Sequence, residues 1–189
     1  MSFSPGPVIR NFQKGPYVDL IVSRTEGGWQ AVYGDRHWRC AIGRGGLRAA
    51  REKVEGDGAS PIGRWPIRQV FYRADRMEKP PSPFPCRAID RLDGWCDDPS
   101  HPDYNRQVKL PFAASHEELW MDDDIYDVIV VLGHNDEPPV AGAGSAIFLH
   151  IARPDYAPTA GCAALRREDL LTFLTLAEPS THLSFSEAD

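Results

Sequence analysis

Apolar residues fall along this chain in short runs, each bounded by glycine, proline or charged residues. Runs rich in β-branched and aromatic side chains predict strands. Six stand out: Asp19 to Ser23 (DLIVS), Trp29 to Tyr33, Trp38 to Ile42, Trp65 to Tyr72, Tyr126 to Leu132 (YDVIVVL) and Ala146 to Ala152 (AIFLHIA). The last two are almost wholly apolar, the pattern of strands buried on both faces. The closing THLSF predicts an edge strand. Helical spacing is confined to two places. Arg167 to Ala177 sets Leu170, Leu171 and Leu174 on one face, with Pro179 behind. Ser115 to Met121 (SHEELWM) places a capping serine three residues before Glu118 and predicts a shorter helix.

The expected fold is mostly β, mixed with one or two helices, in a single domain over residues 1–189. A polar segment at about 80–111 interrupts it. Insertions of this length are uncommon unless functional or disordered, and its tryptophan, tyrosine and cysteines argue against disorder. It reads as a loop lining a substrate site, with Trp95, Tyr104 and Asn105 as candidate contacts. The alternative is an excursion whose aromatic rings pin it to the core, which for Trp95 is the stronger reading.

Charge narrows the function. A net charge of −6 offers no footprint for nucleic acid, and the basic run Arg44 to Arg51 is diluted by glycine and alanine. No apolar run is long enough to span a bilayer. The N-terminus lacks a basic start followed by an apolar stretch, so a cytoplasmic protein is expected. A periplasmic one follows if a leader has been removed or export takes another route. A monomer is expected. Four cysteines in 189 residues do not make a disulfide scaffold, and Cys86, Cys96 and His101 lack zinc-ligand spacing.

Candidate chemistry concentrates in GSAIFLHIARPDYAPTAGCAAL, Gly144 to Leu165. His150 ends a buried-strand pattern. Cys162 follows twelve residues later, after a loop containing two prolines. A thiol attacks as its thiolate, and an imidazole beside it can take the proton and later return it to a leaving amine. Gly161 leaves room for close backbone approach, and amides of residues 160–163 are candidates for an oxyanion hole. The competing reading is a buried cysteine and a core histidine that merely pack. Spacing leaves both open.

The stretch resembles the catalytic block of the L,D-transpeptidase (YkuD-type) family, where a histidine precedes Ser/Thr-His-Gly-Cys-apolar-Arg. Thr159, Gly161 and Cys162 match, and His150 stands where the family has its base. Upstream, KVEGDGASPIGRWPI resembles the family's glycine-rich turn through Gly56, Asp57, Gly58, Ser60, Pro61 and Gly63. LGHND followed by GSAIFLH is similar to its strand–loop–strand run, with Asn135, Gly144 and Ser145 in place. Ala160 and Ala164 depart from the family's histidine and arginine, and the His150–Cys162 gap is short.

The resemblance implies a cell-wall enzyme of bacteria acting on peptidoglycan stem peptides or muropeptides. Cys162 would be acylated by residue three of a tetrapeptide, usually meso-diaminopimelate, with loss of D-alanine. Resolution by an amine gives a cross-link, and by water an L,D-carboxypeptidase. His150 would carry the proton, and no metal or organic cofactor is required. Thr159, Ser145, Asn135, Tyr104, Asn105 and Trp95 are the candidate substrate contacts. His134 is a weaker candidate for the pocket lining. A silent peptidoglycan- or peptide-binding module is the alternative that Ala160 and Ala164 motivate.

Overall fold

The computed structural model describes residues 19–187. The segment searched for a leader, residues 1–18, lies outside them. The described chain opens with a meander: β1 (Leu20–Thr25), β2 (Gly28–Tyr33) and β3 (Arg36–Ala41) pair antiparallel through two-residue turns. Gly34 takes φ 62° in the second turn, a left-handed value that tight hairpins demand. β4 (Leu47–Ala49) leads to β5 (Ser60–Tyr72), followed by β6 (Cys86–Ala88), β7 (Asp93–Cys96), β8 (Gln107–Lys109) and β9 (His116–Glu118). The chain then forms β10 (Val128–Leu132), β11 (Phe148–Ile151), β12 (Ala163–Leu165), helix α1 (Arg167–Leu176) and β13 (His182–Phe185).

Ten strands form one sheet in the order β10-β11-β12-β3-β2-β1-β13-β5-β4, with β6 also on β5. The middle of β5 pairs with β13 and its C-terminal part with β10, so the sheet closes on itself. The main core gathers alternate residues of these strands with one face of α1. It includes Leu20 and Val22, Val128 and Val130, Leu149 and Ile151, Ala163 and Leu165, Leu183 and Phe185, and Leu170, Phe173 and Leu174 of the helix. The intervening residues of the central strands point the other way, because side chains alternate along a strand. Phe71, Ile129, Val131, Phe148 and Cys162 thereby enter a second cluster with Trp95, Leu119 and Tyr126. The expectation for the two apolar runs holds: β10 and β11 are buried on both faces.

Three expectations change. The predicted helix at Ser115–Met121 is strand β9, paired antiparallel with β7. Leu119 N–H donates to the Asp93 carbonyl, Asp97 N–H to that of Ser115, and the Leu119 side chain is wholly buried. Pairing and burial outweigh a local capping signal. THLSF is not an edge, since β13 lies between β1 and β5.

The insertion is not a structureless loop either: β8, β7 and β9 form a small sheet. The wholly buried Asp93 ties this sheet together, accepting from Lys109 at 2.8 Å, Arg87 at 2.9 Å and Gln107 Nε2 at 2.9 Å. Its interior is built partly on polar pairs, so hydrophobic periodicity did not reveal it. α1 begins without a side-chain cap, but Glu168 and Asp169 occupy its first turn, where the helix dipole favours negative charge.

Candidate active site

β11 and β12 run parallel, with Leu149 opposite Ala163 and His150 opposite Ala164. His150 shares a face with Phe148, and Cys162, just before β12, turns toward the same face. Both line a cavity of about 440 Å³, with Ser145, Thr159, Tyr126, Glu117, Asp97, Glu55, Lys53 and Arg44 among its walls. His150 Nδ1 lies 2.9 Å from its neighbour's carbonyl, Ile151 O, an acceptor that fixes the proton on Nδ1 and leaves Nε2 as the basic nitrogen. Its ring packs edge-on against Tyr126 at 5.3 Å between centroids. Burial drives its pKa down to about 4, so the imidazole is neutral at pH 7.

Cys162 Sγ accepts from Phe148 N–H at 3.4 Å and donates to the Ala146 carbonyl at 3.2 Å. Burial and then the Glu117 charge push the thiol up to about 12, opposed by the Phe148 amide. The resting pair is a neutral thiol and a neutral imidazole.

The loop carrying the cysteine is strapped from both sides. Thr159 Oγ1 donates to the Cys162 carbonyl at 2.7 Å and accepts Gly161 N–H at 3.1 Å. Ser60 Oγ donates to the Gly161 carbonyl at 2.6 Å and accepts from Gly43 N–H. Gly161 takes φ 147°, and an added Cβ would come 3.1 Å from the Ala59 carbonyl. The room at Gly161 thus admits the Ala59–Ser60 turn, and its amide is committed to Thr159 rather than free for an oxyanion.

The other candidates divide. Ser145 and Thr159 line the cavity, whereas Trp95, Tyr104, Asn105 and Asn135 do not. Asn105 fills four bonds: Oδ1 accepts from Trp95 Nε1 and Ala146 N–H, and Nδ2 donates to the His134 and Asn135 carbonyls. It fixes Ala146, whose carbonyl holds the thiol. Asn135 caps its own loop through Val140 and Gly144. His134 packs edge-on against Trp65 and bonds the Ala143 carbonyl. Arg166 and Arg167, the arginines that follow Ala164 most nearly, pair with Glu168 and with Asp127.

Sequence reasoning missed Glu117, Asp97, Glu55, Lys53 and Arg44. Lys53 and Glu55 belong to the quoted glycine-rich stretch, but the acids of β9 and of the turn after β7 carry no spacing signal. The model of the YkuD family, the L,D-transpeptidase catalytic domain, matches residues 21–183.

The chain belongs to that family.

Neither the curated proteins nor the solved structures yielded a match. In this L,D-transpeptidase domain the three stretches quoted for the resemblance meet at one place: Ser60 of the first bonds Gly161 of the last, and Asn105 joins Ala146 to Asn135. Among the described residues no helix is long and apolar enough to cross a membrane.

Proposed function

We propose that this pocket performs cysteine-dependent acyl transfer on peptidoglycan stem tetrapeptides. The supporting observation is the placement of His150 and Cys162 on one face of adjacent parallel strands, open to a common cavity. Cys162 Sγ attacks the carbonyl of residue three while its proton passes to His150 Nε2. Collapse of the tetrahedral adduct breaks the bond to D-alanine, and the imidazolium returns the proton to the departing amine. The thioester is then resolved by an amine, giving a cross-link, or by water, giving an L,D-carboxypeptidase. Because both groups rest neutral, the proton moves as the C–S bond forms rather than beforehand.

The test is incubation with purified disaccharide-tetrapeptide and mass spectrometry of the products, alongside Cys162→Ala and His150→Ala. Loss of one D-alanine without dimers identifies a carboxypeptidase and suits muropeptide trimming in the cytoplasm. Dimers or D-amino-acid exchange identify a transpeptidase, whose substrates lie outside the membrane. A second reading rests on the suppressed acidity of Cys162 and on Ala160 and Ala164: a module that binds stem peptides without reacting. No product in any sample, with tetrapeptide binding retained, selects that reading.

A further inference from the structure

Buried and half-buried carboxylates in this protein are usually ion-paired. Asp57 meets Lys53 and Arg48, Asp93 meets Arg87 and Lys109, and Asp127 meets Arg76 and Arg167. Glu55, Asp97 and Glu117 all line the catalytic cavity, and none has a cation within 4.0 Å among the described residues.

The cations of the cavity are used elsewhere or lie at its rim. Lys53 Nζ is bound to Asp57 at 2.7 Å and to the Val54 carbonyl at 3.0 Å, and Arg153 is bound to Asp123 at 2.7 Å. Arg44 is exposed. Glu55 accepts from the Tyr104 phenol and the Gly56 N–H, and Glu117 from the Tyr126 phenol, so neither carboxylate meets a cation.

Two polar atoms of the same wall are buried without a hydrogen bond: Asp97 Oδ1 and Ser145 Oγ. Ser145 is only 7% exposed, and the Tyr104 phenol near it directs its hydrogen bond to Glu55. Buried groups left this way call for a partner from outside. The acids also sense one another: burial first, then Asp97 and Glu55, hold the Glu117 carboxyl above its usual range. Three converging acceptors with a hydroxyl beside them fit the three N–H bonds of an ammonium group.

We propose that Glu55, Asp97 and Glu117, with Ser145, form a subsite for a primary ammonium group brought in by the substrate. This rests on the acyl-transfer reading for the identity of the substrate, and on the cavity alone for the ammonium. The ammonium is either the side-chain amine at position three of the acyl donor or the amine of the acceptor. A cation seated there also offsets the Glu117 charge that opposes ionisation of Cys162, so occupied and empty pockets differ in thiol reactivity.

The experiment measures binding by calorimetry to Cys162→Ala protein, which cannot turn over. The probes are L-Ala-γ-D-Glu-L-Lys-D-Ala, its Nε-acetyl form, and cadaverine. The free-amine peptide should bind about tenfold or more tightly than the acetylated one, the scale of a charged hydrogen bond. Asp97→Asn and Glu117→Gln, added singly, should shrink that ratio to about threefold or less. Asp97 makes no side-chain hydrogen bond, so its variant tests charge with the fold intact.

Competition between cadaverine and the free-amine peptide assigns the subsite to the donor side chain. Additive binding assigns it to the acceptor. If neither peptide binds but cadaverine does, weakened by Asp97→Asn, the ammonium subsite stands and the stem-peptide reading falls. Equal binding of both peptides, a ratio unchanged by both variants, or no binding of any probe overturns the subsite.

Discussion

Cys40 and Cys162 are both buried, and burial pushes both thiols up to about 12. Acidity does not tell them apart; their surroundings do. Cys40 lies in the main core opposite Leu165, and burial alone accounts for its shift. Cys162 has an amide donor, a carbonyl acceptor and a histidine on the neighbouring strand, and it opens to a cavity. On the proposed reading, directed neighbours rather than acidity distinguish Cys162 from Cys40. A general alkylating reagent at neutral pH should therefore react slowly with both, contrary to the fast alkylation of Cys162 that an activated thiol suggests. Only an acyl donor that engages the pocket should separate them.

The comparison breaks most sharply at Cys162, the proposed nucleophile. Cys162→Ala should lower acyl transfer by on the order of 10⁴-fold or more, whereas Cys40→Ala should leave it within about threefold and cost about 1–2 kcal/mol of stability. Equal losses in the product assay would remove the distinction.

His150→Gln comes next, with turnover reduced about 10²- to 10⁴-fold. The wild-type rate should show its acid limb near pH 4 rather than 6.5, because burial lowers the His150 pKa to about 4. Stability should follow the same group. The unfolded chain takes up the proton below pH 6.5 and the folded one does not until about 4, so stability present above 6.5 is lost as pH falls through that window. The loss is on the order of 3 kcal/mol. Denaturant titrations at pH 7.5 and 4.5 should show it, and His150→Gln should flatten the difference.

Asn105→Ala should cost about 2–4 kcal/mol by stranding its buried partners. It should also slow acylation by loosening Ala146. Thr159→Val is the smallest, about 1–2 kcal/mol, with a rate drop of about tenfold from a less ordered cysteine loop. A rate unchanged in Thr159→Val would mean that Ser60 alone holds the loop.

Much of this was legible because it obeys simple periods. YDVIVVL and AIFLHIA announced doubly buried strands, and Leu170 and Leu174 mark the inner face of α1 with Pro179 beyond its end. His150 and Cys162 were visible as a histidine and a cysteine in an ordered set of short marks, and a backbone carbonyl as the orienting partner of His150 could leave no trace in a side-chain code. What stayed hidden depends on contacts distant in sequence. Glu117 sat in a stretch with a helix-capping pattern, and only pairing with β7 makes it a strand residue facing the cavity. Asn105 looked like a substrate contact because an exposed asparagine and a buried one with four bonds are written with the same letter. The insertion carries its order in Asp93 and its cations, which hydrophobic patterning cannot register.

The position of β13 has a consequence for how the protein is made. It is the last described strand, yet it sits between β1, one of the first, and β5, and pairs with both. A nascent chain in which β13 has yet to be made therefore exposes the edges of β1 and β5 with their backbone groups open to any passing strand. The sheet can close only once β13 has been made and has docked between them. Until then, the histidine and cysteine are already synthesised but the barrel of strands that holds them is one stave short.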